Sequence, residues 1–292
     1  MGVVSLMETT PVFAQGNSRA GSSFVPPGLA KKAAGSSSTV TPTVQTPSST
    51  AAGRRLQTFG TWLDTAAVNT PGETWMWIST AYWRSQSLRE IDAPSMGLSV
   101  GVAPRTQVGV TLPYYYLTDR FGSTWHGFGA SYLTAKLAVT QNRRVNLSTS
   151  PTVEVLSWTT PGIRRVNWVL PISAQTYARS AGFYGSTGYF SRGSVFGSGA
   201  MEWYATQRLT LSITAAHSYS VVSDPVSDTL GVARHRTDAG GGVYFAVRPA
   251  VVFFANAGRT VSPVTETSGR LSLTGGVTIN IAGPAAHTPR VP

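Results

Sequence analysis

The chain of 292 residues contains no cysteine. This absence excludes disulfide bonds, thiolate-bound zinc and a cysteine nucleophile. Charged residues are also scarce, at 12% of the sequence, which is about half the share found in an average soluble domain. No run of about eighteen apolar residues occurs, so the sequence offers no candidate transmembrane helix. The chain is nevertheless 41% hydrophobic, and its apolar residues are therefore distributed over short segments.

Basic residues outnumber acidic ones. The sequence has 23 Lys and Arg and 12 Asp and Glu, which gives a net charge of +11. A nucleic-acid-binding surface would gather the basic residues into patches interleaved with aromatics. Here the arginines occur singly or in pairs, such as Arg143 and Arg144, between apolar segments. We interpret them as turn and rim residues and expect no nucleic-acid partner.

Apolar residues recur at every second position in many segments, as in VGVAPRTQVGVTLPYYY over 100–116. Val108, Val110 and Leu112 share one face of this segment, whereas Gln107 and Thr111 lie on the other. This period of two predicts β-strands. The same pattern recurs in RRVNLSTSPTVEVL, LTLSITA and LSLTGGVTINI, and the polar face is made mostly of small residues.

The breaks between the apolar runs are of two kinds. Four short ones carry an arginine, in VAPRTQVGV, VTQNRRVNL, YATQRLTLS and AVRPAVVFF. Four longer and more polar ones are SQSLREIDAPS, TDRFGSTWHG, SDPVSDTLGVARHRTDAG and SPVTETSG. Short turns at one end and long loops at the other are typical of outer-membrane barrels. The runs number about twelve, and we expect the prolines within them to mark rims or bulges, namely Pro113, Pro151 and Pro171.

Two architectures agree with this alternation, a soluble β-sandwich and a membrane barrel. The apolar face carries almost no charge, and aromatics gather at run ends, as expected for an interfacial girdle. We therefore predict an all-β chain forming a transmembrane antiparallel up-and-down β-barrel of about 12 strands, with a disordered N-terminal segment. Its expected location is the bacterial outer membrane, with the lipid bilayer as its partner.

The composition divides the chain into five parts. Residues 1–14 resemble the remnant of a truncated secretory signal peptide, with Val12 and Ala14 before the cleavage point. Residues 15–53 are rich in Ser, Thr and Pro and predict a disordered linker. Residues 54–73 predict a plug or a short helix. The barrel is expected over 74–282, followed by a C-terminal tail over 283–292.

The segment GFGASYLTAKLAVT over 127–140 resembles a strand of an outer-membrane barrel family named for the meta pathway of phenol degradation. Gly127, Gly129 and Lys136 match the family pattern, whereas Ala130 replaces its usual aspartate. The preceding VAPRTQVGVTLP is similar to the family's strand-turn-strand, and the resemblance extends over about 74–282. It implies a barrel of about twelve strands that transports small organic or aromatic compounds.

The sequence gives little sign of catalysis. Outer-membrane phospholipases place Ser and His two residues apart on one face of a strand, whereas here AAHSYS puts His217 and Ser218 on opposite faces. Tyr219 occupies the position that the nucleophile would need. Asp238 is near His235, but His235 has an arginine on each side, which disfavours a metal cation. We expect no enzyme, no catalytic residue, no metal site and no cofactor.

The function indicated is a passive channel or transporter for a small-molecule solute. One alternative is a non-transporting structural or adhesion barrel with interaction loops, and another is an outer-membrane lipid-modifying enzyme. Charged or amide side chains on the polar faces are the candidates for lining the lumen: Lys136, Glu154, Glu202, Asn146 and Asn280. Aromatics at run ends are the candidates for the membrane interface: Trp75, Trp77, Tyr114, Tyr116, Trp168 and Trp203.

Overall fold

The computed structural model describes residues 63–283, apart from positions 120, 121, 123, 143, 144, 158–163, 179, 223–232 and 267. The predictions for 1–14, 15–53, 54–62 and 284–292 lie outside the described residues. In the part that the structure describes, no helix is long and apolar enough to cross a membrane.

Fourteen strand segments follow one another along the chain. They are β1 (Thr74–Arg84), β2 (Leu88–Ala103), β3 (Thr106–Asp119), β4 (Thr124–Phe128), β5 (Ser131–Gln141), β6 (Val145–Thr149), β7 (Thr152–Val155), β8 (Val166–Tyr177), β9 (Ala181–Phe190), β10 (Ser194–Tyr204), β11 (Leu209–Ser220), β12 (His235–Arg248), β13 (Val251–Ser262) and β14 (Leu271–Ala282).

All strand pairs are antiparallel, and β1 pairs with both β2 and β14, which closes the sheet into a barrel. Segments β4 and β5 both pair with β3, so they form one interrupted strand. Segments β6 and β7 likewise share the partners β5 and β8. The barrel therefore has twelve strands, which confirms the predicted fold class.

The three prolines within strand-like runs lie at or opposite these interruptions. Pro151 occupies the break between β6 and β7, and Pro171 faces that break, accepting a hydrogen bond from Ser150 N at 3.1 Å. Pro113 accepts one from Gly129 N at 2.8 Å, at the break between β4 and β5. A proline has no N–H to donate, so the strand irregularities accommodate the missing donors.

The strand bounds give connections of two to four residues at the end where β1 starts, which we call the short-turn end. The four predicted arginine turns all lie there, together with a fifth connection between β8 and β9. At the opposite end the connections range from three to fourteen residues. The prediction of a long loop at SQSLREIDAPS is wrong, because most of it belongs to the sixteen-residue strand β2.

Side chains alternate between an exposed and a buried face around the barrel. The exposed face carries large apolar side chains such as Ile213, Ile172 and Leu133, as a lipid-facing surface requires. The buried face points inward and is mainly polar, and Gln107 and Thr111 lie on it as predicted. Val108 and Leu112 are exposed on the outside.

Two apolar clusters also lie on the inner face. One contains Ala130, Tyr132, Leu156, Val169, Phe190 and Phe196. The other contains Trp75, Tyr244, Ala246, Val252 and Phe254. The interior of the barrel is therefore lined by aromatic as well as polar side chains.

Candidate lumenal site

Residues 63–69, here called the lumenal segment, lie inside the barrel, and every one of them is buried. They form neither helix nor strand. Backbone groups without such partners must find hydrogen bonds elsewhere when they are buried. In this segment the partners are side chains on the inner face of the barrel wall.

The ion pair between Lys136 and Asp64 is the strongest of these contacts. Lys136 Nζ lies 2.8 Å from Asp64 Oδ1, and the two side chains are only 1% and 2% exposed. The same ammonium donates to the carbonyl oxygens of Thr65 at 2.9 Å and Ala67 at 3.3 Å. Ser150 Oγ donates to Asp64 Oδ2 at 3.1 Å. A buried charge needs such compensation, so Lys136 is satisfied by the lumenal segment.

Side chains from four further strands bind the lumenal segment, three of them through its backbone. Ser186 Oγ accepts from Asp64 N at 3.0 Å and donates to Asp64 O at 3.1 Å. Gln175 Oε1 accepts from Ala67 N at 3.2 Å. Gln107 Oε1 accepts from Asn69 N at 2.9 Å, and Asn69 Nδ2 donates to Ser99 Oγ at 3.1 Å. Anchors therefore come from β2, β3, β8 and β9.

A tight turn joins the lumenal segment to β1 at the short-turn end. Glu73 Oε2 accepts from Thr70 N and Thr70 Oγ1, both at 2.9 Å. Gly72 N donates to Gly101 O at 2.8 Å, and Gly101 N donates to Glu73 O at 2.9 Å. A Cβ atom on Gly101 would lie 2.0 Å from Thr70 O. Only glycine allows the chain to pass the wall this closely.

The other predicted lumenal residues also lie on inner faces. Glu154 is buried and accepts from Tyr132 Oη at 3.0 Å and from Asn167 Nδ2 at 3.1 Å. Glu202 is fully buried. Asn146 and Asn280 are half-buried near the short-turn end. Lys136 and Glu154 do not form an ion pair with each other, because Lys136 pairs with Asp64 instead.

The six predicted interfacial aromatics divide between the two faces. Tyr116, Trp168 and Trp203 are exposed on the outside, and Tyr114 is half-buried with its hydroxyl 3.0 Å from His126 Nδ1.

The interfacial assignment is wrong for Trp75 and Trp77, which are buried in the lumen. Trp75 Nε1 donates to Glu73 Oε1 at 2.7 Å. A Cβ atom on Gly97 would lie 1.9 Å from the Trp77 ring, so this glycine makes room for the inward-facing indole.

The middle parts of β11–β14 present a wall of small residues on their inner faces, opposite the anchors. A cavity lies against this wall, between it and Leu63. The volume that the centre of a water molecule can occupy within this cavity is about 50 Å³. The wall residues are Thr214, Ala216, Gly240, Gly258, Ser272 and Thr274. The lumenal segment thus occupies one side of the interior and leaves space on the other.

Charged and aromatic side chains border this cavity. Arg236 Nε donates to Asp238 Oδ1 at 2.8 Å, and Thr260 Oγ1 donates to the same oxygen at 2.7 Å. Trp83, Tyr184 and Tyr244 also line the cavity and are almost completely buried. The site therefore joins flat aromatic surfaces to one buried ion pair.

The geometry gives no nucleophile–base pair at the position considered from the sequence. His217 is exposed on the outer face, where its Nδ1 lies 2.9 Å from Thr237 Oγ1. Ser218 is buried on the inner face, as its parity predicts. Among the described residues, no group of three or more His, Asp or Glu side chains is arranged to hold a metal ion.

Neither a protein-family model nor a curated protein sequence matches this chain. Solved structures match its fold. An outer membrane channel from Pseudomonas putida F1 has a TM-score of 0.54 at 11% identity, over 73% of this chain and 96% of that chain. The NanC porin has a TM-score of 0.53 at 8% identity, over 70% of this chain and 100% of that chain. The protein is a closed twelve-stranded antiparallel barrel with the fold of bacterial outer-membrane porins, in agreement with the location predicted from its sequence.

Proposed function

We propose that the protein is an outer-membrane channel for small solutes and that the lumenal segment acts as its plug. The observation that carries this proposal is the division of the lumen. One side is occupied by residues 63–69, held by hydrogen bonds from six positions on the wall. The other side carries small residues that front a cavity. A passage along β11–β14 is therefore the route for a solute.

The number of strands supports a narrow passage. Eight-stranded barrels are filled by their own side chains, whereas barrels of sixteen to eighteen strands leave an aqueous channel. Twelve strands fall between these limits. With the lumenal segment seated, the remaining cavity admits only small molecules, so large solutes require the segment to leave or to shift.

The character of the wall supports small organic solutes as cargo. Aromatic side chains line the cavity at Trp83, Tyr184 and Tyr244, and apolar solutes gain free energy from contact with such rings. The resemblance of residues 127–140 to the barrel family named for phenol degradation points to the same class. We therefore infer uncharged organic compounds, including aromatic ones, as the cargo.

The anchoring of the lumenal segment also favours a second candidate, a barrel that does not transport. Every backbone contact described above is compatible with a permanent internal brace. In that case the outward loops would carry the function, and the lumen would stay closed under all conditions.

Single-channel recordings in planar bilayers distinguish the two candidates. The full chain is compared with a variant in which residues 63–69 are replaced by a Gly/Ser segment of equal length. We expect a small conductance for the full chain and a larger one for the variant. Liposome-swelling rates with neutral solutes of increasing size then give the width of the passage. A folded barrel that fails to conduct in both forms would contradict the channel and support the brace.

A further inference from the structure

The cavity along β11–β14 contains a buried hydrogen-bond acceptor without a partner. Asp238 Oδ1 accepts from Arg236 and Thr260, whereas Asp238 Oδ2 is buried and has no hydrogen bond to any described residue. An unsatisfied buried carboxylate oxygen costs free energy. A ligand that donates a hydrogen bond to this oxygen would recover that cost.

The charge around Asp238 selects against ions. The guanidinium of Arg236 already pairs with this carboxylate, and both side chains are more than 90% buried. The pair is formally neutral, and Arg259, the other charged residue of the cavity wall, is exposed. An ion that reaches Asp238 would therefore lose its hydration without gaining an unpaired opposite charge there. A neutral donor, such as a hydroxyl group, meets the requirement of Oδ2 without this penalty.

The rest of the cavity is suited to a flat ring. Trp83, Tyr184 and Tyr244 supply aromatic faces and edges, with which rings interact in stacked or edge-to-face arrangements. Gly240 and Gly258 leave the wall between them without side chains. A planar molecule can therefore lie against the backbone of β12 and β13.

The cavity is small, because the centre of a water molecule can occupy only about 50 Å³ of it. The ligand is therefore a small molecule.

From these observations we infer that the cavity is a binding site for a small neutral compound with an aromatic ring and a hydroxyl group, which donates to Asp238 Oδ2. The ring lies near Trp83, against the glycines of the wall. This inference rests on the proposed channel and specifies the class of solute that the channel binds during passage.

The test measures binding rather than transport, with the full chain in lipid nanodiscs and with empty nanodiscs as the blank. Phenol and toluene are the probes, because they have the same size and differ in a hydroxyl against a methyl group. Benzoate provides the anionic case. We expect phenol to bind at least about ten-fold more tightly than toluene, as a hydrogen bond to a carboxylate implies, and benzoate to bind more weakly than phenol.

Asp238→Asn tests the acceptor directly. The amide oxygen retains a partner for Arg236 and Thr260, while an N–H₂ donor replaces the unpartnered oxygen. We expect the preference for phenol over toluene to disappear in this variant. Heat-modifiable migration on a detergent gel verifies that the barrel is folded. A preference that survives the substitution in a folded barrel overturns the inference.

A second pair of variants tests the position of the site. Ala216→Leu fills the cavity, and Ala215→Leu adds the same atoms to the exposed outer face one residue earlier. We expect phenol binding to be lost only in Ala216→Leu, and equal binding by both variants overturns the assignment. Conductance without phenol preference would refute the inference alone. Phenol binding by a barrel that never conducts would refute the channel alone.

Discussion

The inner faces of β2–β9 and of β11–β14 differ in the side chains that they carry. The first side presents long or hydroxylated groups, including Gln107, Lys136, Gln175 and Ser186, and all of these contact the lumenal segment. The second side presents small residues such as Ala216 along the middle of its strands, and a cavity lies against them. Side chains alternate between inward and outward on both sides of the barrel. An inward orientation therefore does not decide whether a side chain binds the lumenal segment or leaves space beside it.

The difference separates two tasks within one barrel. Side chains that reach across the lumen can hold a peptide segment, because they supply donors and acceptors to its backbone. A wall of small residues cannot do so, and it leaves room for a solute. Variants on one side of the lumen test this division, and variants on the other side serve as controls. They follow in order of decreasing expected effect.

Replacing residues 63–69 with a Gly/Ser segment of equal length should have the largest effect. It removes the ion pair and the side chain of Leu63 and so makes the anchoring side as open as the opposite one. We expect the single-channel conductance to rise severalfold. Filling the opposite side by Ala216→Leu should lower the conductance instead. An unchanged conductance in the first variant would mean that the lumenal segment does not obstruct ion flow.

Lys136→Met should release the lumenal segment, because it leaves Asp64 buried without its cation. Breaking a buried ion pair costs about 3–5 kcal/mol, which corresponds to at least about a hundred-fold change in an equilibrium constant. Since the chain has no cysteine, Ala66→Cys introduces a unique label. We expect maleimide to modify this cysteine at least about a hundred-fold faster when Lys136→Met is added.

The double change Lys136→Met and Asp64→Leu is the matched control for that experiment. It removes both charges, and apolar replacements of a buried ion pair are often close to neutral in stability. Labelling should therefore return most of the way to the original rate. If the double variant labels as fast as Lys136→Met alone, the charge on Asp64 is not what drives the release.

Gly101→Ala should weaken the junction between the lumenal segment and β1. Its Cβ atom would lie 2.0 Å from Thr70 O, and overpacking of this kind costs about 1–3 kcal/mol. We expect faster labelling of the cysteine at position 66, by less than in Lys136→Met. Gly275→Ala on β14 is the control, because its Cβ atom would have no neighbour closer than 3.6 Å. Equal effects of the two alanines would exclude a specific role for Gly101.

Ser186→Ala should have the smallest effect. It removes the hydroxyl that bonds both Asp64 N and Asp64 O, and each such bond contributes about 0.5–1.5 kcal/mol. Ser212→Ala on the opposite side removes a buried hydroxyl that has no bond to a described residue. We expect labelling at position 66 to accelerate a fewfold only in Ser186→Ala. Identical rates in both variants would remove Ser186 from the set of anchors.

Much of the barrel was predictable because successive side chains of a strand point to opposite faces, so the sequence of a strand shows which residues share a face. Val108 and Gln107 are on the expected sides, and the arginine turns lie at one end. The prediction for Trp75 and Trp77 is wrong because a position at the end of a run does not fix the face on which a side chain lies, whereas its parity along the strand does. The neighbouring Gly97 is the signal that could have corrected it, since it leaves room for an indole.

The anchoring of the lumenal segment was not predictable in the same way. Residues 63–69 read LDTAAVN and have no period that would assign a face. Lys136 was recognised as a lumenal cation, but its partner lies 72 positions away in the sequence. Asp64 is the one acidic residue of this stretch. An isolated acidic residue among small residues, just before the first strand, is the sequence feature that indicates this ion pair.

The covalent junction at Glu73 makes the lumenal segment a tethered ligand of its own barrel. A short flexible tether holds a ligand at an effective concentration in the millimolar range, far above that of a free peptide. In the proposed channel, a released segment would therefore return to its anchors rapidly, and open intervals would be brief. A soluble peptide of the same sequence competes poorly with it, so opening that lasts requires a force or a partner that retains the released segment.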